Sequence, residues 1–319
     1  MARLFYLFAG FPLLFPRAQA DGECPQVRCL TKLSSVADSL CTSHSGPLTY
    51  IKPCTDLNSV CNEDSGVCEV SRSVTESLPG ETCTPDVACL GTCEGNVCMG
   101  WSELDYCDFQ LTCHVGLRCV EHTCVPLLKA GERGCSTKDD CGNGLVCERT
   151  ICTQMFSYPA GSEVNCIGDF AKNEACESGL CGENRCLPMP QNHTALPEIC
   201  TQNSDCDTIY SGIPLKGTCQ CTTSSFQQVK ICAPRVTDIQ YKTRLALLKD
   251  WTASAEIQLC HRFNSLSFAC MRRVWDGQKT QKLLELMIES KFRLSFHLLE
   301  PCLETHYLAR ARSEIPYLD

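Results

Sequence analysis

The chain has 319 residues, 30 of them cysteine, and 37 acidic against 28 basic residues give a formal net charge of −9. Cysteine at that level marks a disulfide scaffold built in an oxidising compartment. The acidic balance argues against a nucleic-acid partner, which would need a stripe of cations along the phosphates.

Residues 1–20, MARLFYLFAGFPLLFPRAQA, set Arg3 before an apolar run from Leu4 to Phe15 and end on Ala18-Gln19-Ala20. This is the pattern of a secretory signal peptide, with a mature chain expected to start near Asp21. The run is shorter than the about 20 apolar residues needed to span a bilayer, although Pro12 and Arg17 are atypical and keep an uncleaved anchor open as the alternative. No later stretch is apolar enough to span, and the end ARSEIPYLD lacks the hydrophobic tail of a lipid-anchor signal. The expected location is secreted and extracellular, with coat or matrix association as one form of it, and no membrane span is expected.

Residues 21–78 hold a block of six cysteines: Cys24, Cys29, Cys41, Cys54, Cys61 and Cys68. Four related units follow over residues 79–190, each with four cysteines: Cys83, Cys89, Cys93 and Cys98; Cys107, Cys113, Cys119 and Cys124; Cys135, Cys141, Cys147 and Cys152; Cys166, Cys176, Cys181 and Cys186. Four residues always separate the third and fourth cysteines of a unit, while the spacing before them varies. A variable loop followed by a tight hairpin explains both, and turn-prone centres such as Glu94-Gly95-Asn96 and Glu183-Asn184 suit the hairpin. If Glu121-His122 is a two-residue turn, Cys119 and Cys124 stand opposite each other on one face and both reach back to the preceding loop. Four cysteines allow three connectivities. The favoured one is first to third and second to fourth: Cys83–Cys93, Cys89–Cys98, Cys107–Cys119, Cys113–Cys124, Cys135–Cys147, Cys141–Cys152, Cys166–Cys181 and Cys176–Cys186. Units this short bury too little apolar surface to offset chain entropy, and each disulfide contributes about 2–4 kcal/mol. Zinc is the rival use of such cysteines, but its sites favour shorter gaps and histidine partners. No metal site and no cofactor is expected.

Residues 191–234 form a linker and a divergent block of five cysteines, Cys200, Cys206, Cys219, Cys221 and Cys232. The linker PMPQNHTALPE contains the sequon Asn192-His193-Thr194, so Asn192 is the expected glycosylation site of a glycoprotein. From residue 235 to 319 the apolar positions recur every three and four residues, as in RLALLKDW and LLELMIESKF, the signature of amphipathic helices. Thr237 or Asp238 is expected to cap the first helix, Thr252 or Ser254 the second, Asp276-Gly277 to break before the third, and Pro301 to bend or end a fourth near Cys302. The expected fold is therefore a disulfide-rich array of short β-hairpins and loops followed by an all-α C-terminal domain. Charge changes at the same boundary, from 13 basic against 27 acidic residues over 21–232 to 13 against 10 afterwards. Cysteine parity adds a constraint. The helical end holds three cysteines and the rest of the chain 27. Either an inter-domain disulfide forms, most simply between one of Cys200, Cys206, Cys219, Cys221 and Cys232 and one of Cys260, Cys270 and Cys302, or each region leaves a thiol free; the cross-link is the expectation.

The stretch CSTKDDCGNGLVCERTICTQ, from Cys135 to Gln154, resembles the N-terminal cysteine-rich domain of Dickkopf proteins and the related stapled repeats of secreted and cell-surface proteins. The shared features are a C-x5-C-x5-C-x4-C frame and an acidic residue before the second cysteine. The resemblance covers the four repeats, about a third of the chain, and the colipase-like second domain of Dickkopf proteins has no counterpart here. It implies a secreted, disulfide-linked interaction protein.

Catalytic signatures are missing from the sequence: no HExxH, no GxSxG, and no thiol left over once cysteines pair. His261, His297 and His306 lie in the helical end and read as packed or surface residues. Arg118, Arg149, Arg185 and Lys216 are the candidates for an inhibitor's reactive loop. Trp101, Tyr106, Phe109, Phe156, Tyr158 and Phe170 are candidates for stacking on a glycan, while Trp251 and Trp275 fit a helical core. The reading is a non-enzymatic secreted interaction or structural protein of an extracellular coat or matrix, binding an extracellular protein or glycan. The alternative is a soluble effector, either a protease inhibitor or a receptor ligand.

Overall fold

The computed structural model describes residues 24–306 apart from 25, 30–39, 47, 53, 55–58, 64, 71–75, 84–87, 109, 167–170, 192–197, 223–228, 234, 293–301 and 304–305. The signal peptide, Asn192, Phe109, Phe170, His297 and Pro301 therefore lie outside the described residues.

Each repeat closes on two short antiparallel strands: Thr92–Glu94 with Val97–Met99, Leu117–Val120 with Thr123–Pro126, Leu145–Glu148 with Ile151–Gln154, and Leu180–Gly182 with Arg185–Cys186. The turn pairs Gly95-Asn96, Glu121-His122, Arg149-Thr150 and Glu183-Asn184 all have φ between 47° and 66°. Positive φ at both central residues is the type I′ turn whose twist matches a hairpin. That conformation strains Glu121, Arg149 and Thr150, and it persists because a strand ladder and two disulfides fix each hairpin from both sides. The third cysteine of each repeat faces the fourth across the ladder. Both reach back to the loop, giving Cys83–Cys93, Cys89–Cys98, Cys107–Cys119, Cys113–Cys124, Cys135–Cys147, Cys141–Cys152, Cys166–Cys181 and Cys176–Cys186. The repeat interiors consist largely of these half-cystines: in the third, Cys135, Cys141 and Cys152 pack with Leu145, Leu128 and Cys147.

The N-terminal block adds a three-stranded sheet in which Leu48–Ile51 lies between Gln26–Cys29, to which it runs parallel, and Thr42–Ser45, to which it runs antiparallel. Cys41–Cys61 and Cys54–Cys68 staple it internally. The last block follows the repeat plan with Cys200–Cys219 and Cys206–Cys232.

Among the described residues three helices of seven residues or more follow: α1 (Ile239–Ala253), α2 (Phe268–Val274) and α3 (Gly277–Phe292). Asp238 is the N-cap of α1, and its carboxylate accepts the Arg235 N–H at 2.7 Å. Ser254 ends α1 as its C-cap instead of starting a second helix, and Thr252 is buried inside α1, donating to the Leu248 carbonyl at 2.9 Å. The second helix begins later, after Ser267, whose Oγ accepts the Cys270 N–H. Between them the chain makes two 3₁₀ turns, Glu256–Leu259 and Arg262–Asn264, that lie along the repeats. Asp276 opens α3 by accepting the Lys279 N–H at 2.8 Å.

The helical end is only in part an all-α unit. One core, formed by Trp251, Ile257, Met271 and Leu283 around Cys260–Cys270, is its own. The other sets Leu284, Ile288 and Leu303 against Val27 and Ile51 of the N-terminal block. The contacts with the repeats run in reverse chain order. Tyr241 Oη donates to the Ser178 carbonyl of the fourth repeat at 2.9 Å. Arg262 reaches the Leu145 carbonyl of the third at 3.1 Å. Arg273 and Asn264 contact Gly80 and Glu81 beside the first.

The expected bridge from the five-cysteine block directly to the helical end is not formed. Cys221 pairs with Cys24, Cys302 pairs with Cys29, and Cys260 pairs with Cys270, while Cys200, Cys206, Cys219 and Cys232 pair within their own block. Both odd counts are resolved by the N-terminal block, which sends two of its six cysteines outward. The shared core explains the choice, since Leu303 packs against the sheet carrying Cys29.

Candidate functional site

All thirty cysteines are described and all are in disulfides. Sulfur triads such as Cys107, Cys113 and Cys124 lie within 4.8 Å of one another. A disulfide sulfur offers neither the thiolate that metals bind nor a nucleophile.

The remaining chemically active side chains are dispersed and mostly committed to the fold. His261 is 1% exposed, and burial pushes its pKa down to about 4, opposed by a hydrogen bond with the Cys113 backbone and assisted by the His114 charge. His306 Nε2 lies 3.3 Å from the Glu63 carboxylate. Arg118 is tied to Asp140 at 2.6 Å with both side chains largely covered. Burial alone would raise the Asp140 pKa, but the Ser136 and Thr137 N–H groups and Arg118 lower it on balance. Arg118 is therefore a strut between the second and third repeats. Arg149 sits on a hairpin turn 3.4 Å from Glu163, Arg185 is exposed on its strand, and Lys216 is held by Asp207 at 2.6 Å. These four cations are on separate elements and are not brought together into one loop.

The aromatic candidates divide more informatively. Trp251 and Trp275 pack with ring centroids 5.4 Å apart, and the Trp251 indole donates to the Ser265 carbonyl at 2.7 Å. Tyr158 is half-buried with its hydroxyl 3.1 Å from that of Thr153. Phe156 lines a cavity of about 100 Å³ between the fourth repeat and α1, with Met155, Tyr241, Arg244, Leu248 and Met287. That volume is well below the about 300–1,000 Å³ of ordinary ligand pockets. Arg244 lies over the Tyr241 ring there, 5.6 Å from its centroid, and burial lowers the guanidinium's pKa. Trp101 and Tyr106, by contrast, are 46% and 64% exposed, and Leu104 on the same turn is 77% exposed. Nothing in the sequence singles out Leu104; its signal is a φ of 74° where the equivalent turns of the other repeats carry glycine.

Comparisons with protein-family models, with curated proteins and with solved structures return no match. No helix among the described residues is long and apolar enough to cross a membrane.

Proposed function

We propose that the chain is a non-enzymatic secreted interaction or structural protein of an extracellular coat or matrix, which presents loops on a disulfide-stapled array of Dickkopf-like repeats. The observation that carries this reading is the commitment of every cysteine to a disulfide. Fifteen such bonds suit an oxidising compartment, and thiols kept reduced in the cytosol would leave repeats of this size without a core. The helices support it further, because their apolar faces are spent on one another and on the N-terminal sheet. In this role the helical end is an internal brace and the outward turns are the working surface. A signal peptide over residues 1–20 and a glycan on Asn192 belong to the same proposal.

The test is fractionation of the native source under non-reducing conditions. Recovery of the mature chain, starting near Asp21, in the insoluble coat or matrix fraction is the expected result. A reduced cytosolic protein would overturn the reading. A freely soluble extracellular protein that inhibits proteases or occupies a receptor would replace it with the effector alternative.

A further inference from the structure

The connector into each repeat makes the same four-residue turn. Its turns are Leu78–Glu81, Ser102–Asp105, Lys129–Glu132 and Pro159–Ser162, and in each the last N–H donates to the first carbonyl at 2.9–3.1 Å. The third residue has φ between 74° and 87° and donates its N–H to the carbonyl of the repeat's last cysteine. It is Gly80, Gly131 and Gly161 in three repeats and Leu104 in the second. A β-carbon makes that conformation costly, and Leu104 gains no burial in return, being 77% exposed. Phe156 is also apolar with positive φ, but its ring is half-buried against Val146, Met155 and Ala175.

Two flanking positions depart in the same sense. Three residues before the turn glycine, where the connector bridges to the repeat's second cysteine, stand Ser77, Leu128 and Tyr158, buried or half-buried. The second repeat has Trp101 there, 46% exposed. Two residues after the glycine, where the connector bridges to the hairpin, stand the polar Thr82, Arg133 and Glu163. The second repeat has Tyr106, 64% exposed and stacked on His122 at 5.5 Å. All three departures thus put an apolar or aromatic side chain into solvent on one turn.

The exposed acidic and basic side chains of this segment are of one sign. Glu103, Asp105, Asp108 and Glu121 are all exposed. From Val97 to Cys124 the one lysine or arginine is Arg118, already tied to Asp140. The turn is also rigid: Asp105 accepts the Ser102 N–H at 2.8 Å, and the Leu104 N–H meets the Cys124 carbonyl at 2.9 Å.

We infer that the turn from Trp101 to Tyr106 is a docking surface for a basic segment of another protein, one that sets an apolar side chain among lysines or arginines. Leu104 and the aromatic faces receive the apolar group, the exposed ring faces and the acidic rim receive the cations, and the preset turn lowers the ordering cost of binding. This rests on the reading of the chain as an interaction protein.

The test uses the full disulfide-bonded chain beside a variant given the first repeat's own residues, Trp101→Ser, Leu104→Gly and Tyr106→Thr, which should keep Cys107–Cys119 and Cys113–Cys124 on a non-reducing peptide map. A phage-displayed random dodecapeptide library is panned on each protein, and selected peptides are measured by fluorescence anisotropy. Peptides enriched on the wild type should combine an apolar residue with neighbouring Lys or Arg. The variant should weaken them about tenfold or more, and raising salt from about 50 to about 500 mM should weaken them several-fold. Equal binding to both proteins overturns this site while leaving the interaction reading standing, whereas enrichment on neither overturns both. Acidic or uncharged selected peptides, turn-dependent binding to a glycan array, or turn-dependent self-association in the ultracentrifuge would each replace the basic protein segment as the occupant and overturn the proposal.

Discussion

Asn143 locks the third repeat to the helical end, and Asn143→Ala tests that lock. The side chain is 5% exposed, and its amide nitrogen donates to the Ile257 and Cys260 carbonyls at 2.9 and 2.7 Å. Each such bond is worth about 1 kcal/mol net, and a buried carbonyl left without a partner costs about 1–3 kcal/mol more. Ile257 O keeps the Cys260 N–H at 3.1 Å, so the Cys260 carbonyl bears the larger loss. The buried amide oxygen of Asn143 has no partner of its own, and its removal returns part of the cost. The expected net destabilisation of the docked segment is about 2–3 kcal/mol, whereas the repeat's disulfides remain intact. Amide hydrogen exchange on the disulfide-bonded protein reads this directly, with exchange over residues 255–264 expected to accelerate by about 30- to 150-fold while the four hairpins keep their protection. An acceleration below about threefold, against the predicted cost, would show that the amide holds nothing and that packing around Trp251 alone seats the segment.

Other consequences are as sharply testable. Burial holds the His261 pKa at about 4, below its ordinary 6.5, so the unfolded chain takes up this proton first as pH falls. Its contribution of roughly 3 kcal/mol is complete above the unfolded pKa, declines between about pH 6.5 and 4, and is absent below that; His261→Gln should flatten this slope in urea titrations, and an unchanged slope would refute the assignment. Cleavage near Arg235 without reductant should leave the halves joined through Cys29–Cys302; Cys302→Ser should release them and expose a thiol at Cys29, and a thiol in the block from Cys200 to Cys232 would contradict the pairing. Leu104→Gly relieves a strained φ of 74° while loosening the unfolded chain, so the melting point should stay level or rise, by about 0–1 kcal/mol of stability; a clear loss would mean that Leu104 packs internally. Residues 233–319 expressed alone lack Val27, Ile51 and the rest of the N-terminal block's side of one helical core, and should show weaker and less cooperative helical circular dichroism than the same residues in the full chain; a cooperative melt would establish an independent domain.

How far the fold could be read from the chain differs by element. The hairpins were legible because four residues between the third and fourth cysteines leave room for little besides a two-residue turn, which places those cysteines opposite each other. The helices were legible from apolar spacing, as in LLELMIESKF, whose Leu283, Leu284, Leu286 and Ile288 are buried. Their partners were not, because Ile288 meets Val27 and Ile51 from the opposite end of the sequence and periodicity marks a buried face without naming what covers it. Parity required the helical end to bond elsewhere, but which cysteine it chose depended on that same long-range packing. Asn143, within the stretch CGNGLVC, reads as an ordinary turn residue, and only the passage of Ile257 and Cys260 overhead makes it a lock. Among the candidate surface residues, Trp101 and Tyr106 were legible as aromatics, whereas Leu104 needed the turn's φ and its glycine counterparts.

The two long bridges converge on one short strand. Cys24 stands just before the strand Gln26–Cys29 and Cys29 is its last residue, and their partners Cys221 and Cys302 lie 197 and 273 residues away. In the chain-entropy view a cross-link gains with loop length, yet the array between Cys24 and Cys221 is already shortened by its own disulfides, so the added constraint is smaller than the raw separation implies. Placement matters more than entropy here. The first bridge closes the array into a covalent ring, and the second fixes the helical end to the same strand, so that the core around Leu284, Ile288 and Leu303 is complete only when that strand is seated. Contacts of such sequence separation form late, whereas each hairpin closes a loop of 9 to 15 residues by itself. The repeats can therefore be right before the whole is assembled, and the N-terminal strand is the part that makes array and helices a single body able to present the turn at Leu104 in one fixed orientation.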